Sequence, residues 1–313
     1  MYDIIGDVHG HGYELITLLE KLGYEDLGKG YRHKSRKVIF LGDFIDRGED
    51  LAQHKLVLNT VMPMVSQGHA LAVMGNHEFN ALAYHTEHNG DFLRPHTKKN
   101  TEQHQAFLNE YPEDSVEKQE VLEFFFSLPL WLDTGDLRIV HACWDENHMK
   151  VLKTYCPLHQ IDRDTLVEAS TRGSSVYSAI EVLLKGVEVT LPDEQKFKDT
   201  KGHERTAIRV CWWKQDSITF ADAAISDGRE LGSIGAKVLP HKMLGYEHSA
   251  PPCFIGHYQL SGNPRPLGKN IACVDYSVSR NDGKLVAYRW DGEQILDEKK
   301  YVYQEKSGSN LHD

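Results

Sequence analysis

The five cysteines of this chain, Cys143, Cys156, Cys211, Cys253 and Cys273, are odd in number and scattered, with no C-x-x-C pair among them. That spacing argues against a disulfide framework and a zinc ribbon, and leaves them as buried thiols. Long apolar runs are missing too: none reaches the ~18 residues of a membrane span. The chain starts on the strand-like "YDII", where a secretory signal would need a basic and then an apolar stretch, so a cytoplasmic protein with no membrane partner is expected. Basic charge is in deficit. With 35 Lys and Arg against 46 Asp and Glu, the net charge of −11 repels a nucleic-acid backbone and argues against tracking along DNA or RNA. A bound cation can reverse that sign locally, which keeps small polyanions open as ligands. No Pro-, Gly- or Ser-rich linker, internal repeat or low-complexity segment interrupts the chain. With 40% hydrophobic and 26% charged residues, the 313-residue chain can bury a sizeable core, and one domain over 1–313 is the expectation.

What is present begins with a clean alternation of strand and helix. "YDIIGD" reads as a strand and "GYELITLLEKLG" as a helix with Leu15, Leu18, Leu19 and Leu22 on one face and Gly23 past its end. The strand "RKVIFLGD", the helix "DLAQHKLVLNTVM" and the strand "HALAVMGNH" follow, a β-α-β-α-β order that implies a largely parallel sheet. Ligands are expected beyond the carboxyl ends of its strands. Residues 86–118 read as polar and irregular, with a basic pair at Lys98 and Lys99 and a short helix at 102–110. Asp114 with Glu117 makes a capping box for a helix over 115–127, which Pro129 stops. "LPLWLDTGDLRIVHA" reads as a hairpin turning at Thr134 and Gly135; 145–186 is helical and 187–202 loop-like. The last third predicts strands in "RTAIRVCWW", "PPCFIGHY", "NIACVDYSV" and "KLVAYRWDGEQIL", the last a hairpin turned by Asp291 and Gly292. On such a strand Trp212 and Trp213 would face opposite ways, one into the core and one free to line a cleft. Tyr276 is expected to pack in the core.

The chemistry lies at the strand ends. The first three strands end alike, in "GDVHG", "GDFIDRG" and "GNHE". Taken singly, Asp or Asn beside Gly after a strand is a turn residue. Here Asp7 and His9, Asp43 and Asp46, and Asn76 and His77 close three successive strands of one sheet, where they would converge, and His141 and His257 follow two further strands. Carboxylate, imidazole and amide oxygen together suit manganese, iron, zinc or nickel better than calcium or magnesium, and two such ions sit ~3.5–4 Å apart when one carboxylate bridges them. Such a pair activates water and neutralises phosphoryl oxygens. Asp43 would be the bridge, and Arg47, planar and always charged, would grip phosphate. His54, His69, His85, His88, His104 and His148 lie outside these signatures and read as surface or satisfied core.

With "VHA" at 140–142 and "GHY" at 256–258, the five signatures resemble those of the phosphoprotein phosphatase branch of the calcineurin-like metallophosphoesterases. The resemblance implies an α/β sandwich of two mixed β-sheets flanked by helices, with cleft-lining insertions at 86–127 and 145–202. It implies two divalent metal ions, manganese first, one held by Asp7, His9 and Asp43 and the other by Asp43, Asn76, His141 and His257. His77 would be the general acid, paired with Asp46; Arg47 and Asn76 would bind phosphate, and Glu78 would support the ligands from behind. The implied activity is hydrolysis of phosphate monoesters, in a phosphorylated protein or a small phosphoester, by direct attack of a metal-bound hydroxide. Alternatives are a nucleotide-directed hydrolase acting on dinucleoside tetraphosphates or cyclic phosphodiesters, and a module that binds phosphate without catalysis. Symmetrical dinucleoside tetraphosphate hydrolases differ in the middle signature. Two departures stand out. Gln259 occupies the position where much of the superfamily has a second histidine after "GH", and the family's second phosphate-binding arginine has no motif match, leaving Arg209 and Arg205 as candidates.

Overall fold

The computed structural model describes residues 1–28, 30–47, 53–198, 202, 204–225 and 229–306. Strands Tyr2–Ile5, Lys37–Phe40 and Ala70–Ala72 run parallel in that order, as the alternation predicts. Lys284–Trp290 joins antiparallel to the first of them and also pairs with Asp275–Tyr276 and Tyr301–Glu305, completing a mixed six-stranded sheet. A second, four-stranded sheet is ordered Ile271–Cys273, Cys253–Ile255, Arg138–Val140, Trp131–Asp133, the last pair being the antiparallel hairpin expected around Thr134 and Gly135.

Side-chain alternation turns these strands into a sandwich. Ile4, Ile39, Val286 and Tyr288 of the large sheet form one buried cluster with Ile139, Phe254 and Ala272 of the small one. Their neighbours Ile5, Val38 and Phe40, and on the other sheet Val140, Cys253 and Ile255, face outward into the helical layers. Helix Gly12–Leu22 buries Leu15, Leu18, Leu19 and Leu22, each contributing about 1.5–3 kcal/mol. Gly23 ends it in the left-handed region at φ 87°. A third, smaller apolar cluster gathers Val189, Ile208, Val210, Phe220 and Leu239. All five cysteines are buried and free. No helix among the described residues is long and apolar enough to cross a membrane.

Several local expectations change. The start of the helix expected at residue 50 lies outside the described residues; the helix runs His54–Ser66. The short helix expected at 102–110 is longer, Lys98–Glu110, capped by Thr97. Ser115, not Asp114, caps Val116–Ser127, its side chain accepting from the Lys118 N–H. The segment 187–202 contains strand Glu188–Thr190, paired with Ala207–Arg209. Trp212 and Trp213 stand past that strand in a turn, so both rings are buried, with centroids 5.8 Å apart, instead of facing opposite ways. "NIACVDYSV" supplies both sheets, Ile271–Cys273 to one and Asp275–Tyr276 to the other, with Val274 at the crossing. The partner of Lys284–Trp290 is Tyr301–Glu305, not the residues just after Gly292. Tyr276 is core, as expected, its hydroxyl accepting from the Arg265 N–H.

Candidate functional site

The parallel strands end at Ile5, Phe40 and Ala72, and the chain there must turn side chains back over the sheet edge. After the first two it does so through left-handed backbone at residues that are not glycine, His9 (φ 46°), Asp43 (52°), Asp46 (63°) and Arg47 (62°), and the same happens after Cys253–Ile255 of the small sheet at His257 (70°) and Gln259 (52°). Strain of about 1–3 kcal/mol at each is tolerated where surrounding bonds fix the backbone, and such clustering marks functional sites. Two glycines of the signatures, Gly75 and Gly256, have a different reason. A Cβ on Gly75 would lie 2.3 Å from Asp43 Oδ1, and one on Gly256 would lie 2.2 Å from Asp7 Oδ1. Glycine is therefore needed where a carboxylate crosses the next loop.

These turns bring the expected ligands together. Asp43 Oδ2 is 3.4 Å from His141 Nε2, 3.7 Å from His9 Nε2 and 3.9 Å from His77 Nε2. Asp7 Oδ2 is 4.0 Å from His9 Nε2 and accepts from the His257 N–H at 3.0 Å. Asn76 Oδ1 is 3.3 Å from His141 Nε2. Two triads of donor atoms share Asp43, namely His9–Asp43–His77 and Asp43–His141–His257, every member buried.

The donor set fits divalent ions. His9 donates from Nδ1 to the Ile45 carbonyl (3.0 Å) and His141 from Nδ1 to the Leu41 carbonyl (2.7 Å), which turns each Nε2 toward Asp43. The Nε2 atoms of His9 and His257 are buried with no hydrogen-bond partner among the described residues. Burial, then the charge of Arg47 for His9 and of Arg209 for His257, drives both imidazoles well below their usual range, so they are neutral and carry lone pairs. Burial and the nearby Asp275 push the Asp7 carboxyl well above its usual range. Burial also works to raise Asp43, but His141 and His77 outweigh it and hold that carboxylate well below the usual range. Burial pulls His141 down, yet Asp43 outweighs it and raises the imidazole to about 10. Without an ion, a proton therefore occupies His141 at neutral pH, and an ion held by His141 would have to displace it. Metal affinity should climb with pH between about 6 and about 9, approaching one log unit per pH unit for one released proton. A competition titration against a chromophoric chelator reads this slope; a flat profile would remove His141 from the ligand set.

Around these candidate ligands stand supporting groups. Glu78 accepts three backbone N–H bonds, from Asp43 (2.8 Å), Phe44 (2.8 Å) and Gly75 (2.9 Å), tying two signature loops together. Burial and the charge of Asp43 push its carboxyl up to about 7. Asp46 accepts from His77 Nδ1 at 2.7 Å, the pairing expected from sequence. With its amide oxygen turned to the guanidinium, Gln259 accepts from both Nη1 and Nη2 of Arg47 at 2.9 Å, so it holds the arginine. Arg209 is half-buried and its charge reaches His257; its Nη2 lies 3.8 Å from Glu188 Oε1, and its Nε is buried with no hydrogen-bond partner among the described residues. Arg205 is exposed on a two-stranded ribbon opposite Phe197.

Two histidines outside the signatures, expected to be surface or satisfied core, also reach this site. His104 donates from Nδ1 to the second oxygen of Asp46 (2.7 Å), and His54 Nε2 accepts the Asp46 N–H (2.8 Å). His104 has no signature, and its only local signal is a histidine next to Gln103 on a polar helix. His85 reaches His104, with 3.2 Å between their Nε2 atoms, while His88 is exposed and His148 bonds Asp145 at 2.8 Å.

Comparison with known proteins matches residues 2–218 to the calcineurin-like phosphoesterase family. The asymmetrical bis(5'-nucleosyl)-tetraphosphatase PrpE of Oceanobacillus iheyensis is 32% identical over 141 residues, 45% of this chain and 54% of that protein. The protein of the same name from Anoxybacillus flavithermus is 34% identical over 145 residues, 45% of this chain and 57% of that protein. The chain thus spans about half the length of the curated relatives it matches. A Saccharomyces cerevisiae protein serine/threonine phosphatase with similarity to human phosphatase PP5 is similar in structure at 14% identity and a TM-score of 0.49, covering 97% of this chain and 78% of that one. Since the family match takes in more than half of the chain, with four of the five signatures inside it, this chain belongs to the calcineurin-like phosphoesterases.

Proposed function

We propose that this chain is a metal-dependent phosphoric ester hydrolase acting on phosphate monoesters. The observation that carries the reading is the pair of buried Nε2 atoms of His9 and His257, without hydrogen-bond partners among the described residues, each in a donor triad that includes the Asp43 carboxylate. Asp7, His9 and Asp43 would hold one divalent ion and Asp43, Asn76, His141 and His257 a second, with manganese the first candidate. When bound, such a pair supplies Lewis-acid neutralisation of phosphoryl charge and a lowered pKa for water. The chain's own residues do the rest. Arg47, steadied by Gln259, orients phosphate oxygens, and Arg209 offers a second cation on the His257 side. His77, aligned by Asp46, gives a proton to the departing oxygen from Nε2. Segments 86–127 and 145–202 set substrate choice, a role supported for the first by the contact of His104 with Asp46.

The names of the sequence relatives favour a second reading, hydrolysis of dinucleoside tetraphosphates by the same residues. Assaying the manganese-loaded chain on a phosphopeptide, a dinucleoside tetraphosphate, a cyclic nucleotide and a bis-aryl phosphodiester decides between them. Turnover of none of the four would leave a phosphate-binding module without catalysis.

Arg47 provides a separate test. A charge-assisted hydrogen bond contributes about 1.5–3 kcal/mol. Arg47→Ala should therefore weaken substrate and inorganic phosphate binding by about 10- to 150-fold, with metal content unchanged. Unaltered phosphate inhibition would make the Gln259 contact purely structural.

A further inference from the structure

We infer that helix Lys98–Glu110 is a positioning element for the His77–Asp46 pair, with His104 as the residue that fixes the Asp46 carboxylate. The inference deepens the role proposed for His77 and rests on it. Asp46 is 2% exposed, and its two oxygens are both engaged, Oδ2 with His77 Nδ1 and Oδ1 with His104 Nδ1, each at 2.7 Å. Burial works to raise this carboxyl, but the bonds from His104 and His77 outweigh it and hold it well below the usual carboxylate range. An ionised carboxylate only accepts, so both imidazoles must donate from Nδ1. Pinned at both oxygens, the carboxylate cannot rotate, and the His77 ring is held with Nε2 toward the metal ligands, 3.9 Å from Asp43 Oδ2.

The same helix also holds the Asp46 backbone. Glu110, its last residue, accepts from His54 Nδ1 and from the His54 N–H through Oε1, both at 2.8 Å, and from the Lys55 N–H through Oε2 at 2.9 Å. That fixes the His54 tautomer and leaves Nε2 as the acceptor of the Asp46 N–H, at the residue whose φ is 63°. The left-handed turn that presents Asp46 and Arg47 is therefore braced from outside the signature. His104 is itself fixed: it is 4% exposed, stacks on Phe107 with centroids 4.8 Å apart, and meets His85 on its far side. The competing account is a buried histidine satisfied by the nearest carboxylate, with no consequence for His77.

Two variants of the full, metal-loaded chain separate these accounts. His104→Phe keeps the ring and its stacking but removes the donor. His104→Asn keeps a donor, since its amide nitrogen falls where the imidazole Nδ1 was. The readouts are kcat on an alkyl phosphate and on nitrophenyl phosphate, metal content, and the 15N imidazole spectrum of His77. A positioning role predicts that His104→Phe lowers alkyl phosphate turnover about 10- to 100-fold, nitrophenyl phosphate far less, and metal content not at all. The uniform Nδ1–H state of His77 should be lost in that variant, and His104→Asn should restore both turnover and spectrum. Equal losses on the two esters, no rescue by asparagine, or an unchanged His77 spectrum would each overturn the inference. Should His104→Phe not fold, Glu110→Gln should show the same leaving-group bias in smaller degree, and its absence there would overturn the inference equally. A wild-type chain inactive on both esters would remove the proposed function instead, while the His77 spectrum would still decide the positioning.

Discussion

Asp43→Asn should abolish bound metal and lower hydrolysis by more than ~1,000-fold while the two sheets still form. The reason is the crowding at one oxygen. Asp43 Oδ2 faces the Nε2 atoms of His141, His9 and His77 within 3.9 Å, and no other residue belongs to both donor triads. Asparagine keeps what the fold needs: an oxygen for the His77 N–H, which donates to Oδ1 at 3.0 Å, and tolerance of φ 52°. It loses the negative charge and can present an NH2 to nitrogen lone pairs, which no cation can bridge. The proposed two-metal site would contribute both the nucleophile and the neutralisation of the phosphoryl group, so losing Asp43 as its bridge would remove both. Elemental analysis beside a far-ultraviolet circular dichroism spectrum checks this. A folded Asp43→Asn chain holding two metals would remove Asp43 as the bridge.

The same residues show how far the sequence could be read. The convergence of the candidate ligands was legible because their signal is local: an apolar run, a glycine, then Asp or Asn, repeated at successive strand ends. The glycines in that pattern reflect close approaches, of Gly6 to the Val274 carbonyl, of Gly42 to Gly75 and of Gly75 to Asp43, so one local pattern encodes tertiary contacts. His104, His54 and Glu110 were not legible, because Asp46–His104 and His54–Glu110 join residues 58 and 56 positions apart. The helix carrying two of them was expected over 102–110, but Lys98–Glu110 buries His104 and Phe107 alone, too narrow an apolar stripe to mark its first turn or the face it turns to the site.

The fold divides along the same line. The parallel core followed from the β-α-β-α-β order, and the hairpin at Thr134 and Gly135 from adjacent strands. At Asp291 and Gly292 the turn chemistry was right for a hairpin, yet the partner strand begins at Tyr301, after Leu296 has packed between the sheets. A turn signal states that the chain bends, not which later segment pairs. The crossing at Val274 had no signal in an apolar run that serves one sheet as well as the other. Gln259 was visible as a departure, but its bonds to Arg47 depend on two left-handed turns meeting in space.

His77→Asn should separate proton donation from metal support, because the two predict different dependence on the leaving group. A general acid contributes about 10²–10⁴-fold, and its contribution is largest where the departing oxygen is most basic. The alkoxide leaving a phosphoserine-like ester needs a proton as the bond breaks; nitrophenolate is stabilised by its ring and hardly does. Asparagine in place of His77 retains a donor for the Asp46 carboxylate but offers nothing at Nε2, the atom that lies 3.9 Å from Asp43 Oδ2. Alkyl phosphate turnover should therefore fall by about 10²–10⁴-fold and nitrophenyl phosphate turnover by much less. Asp46→Asn, which removes the charge that orients the ring, should show the same bias more mildly. His77 also belongs geometrically to the triad with His9 and Asp43, so metal content must be measured in each variant. Retained metal with a steep leaving-group dependence identifies the proton donor. Lost metal with equal loss on both esters would make His77 a ligand, and equal losses with metal retained and chemistry rate-limiting would leave it a substrate-positioning or Asn76-supporting residue.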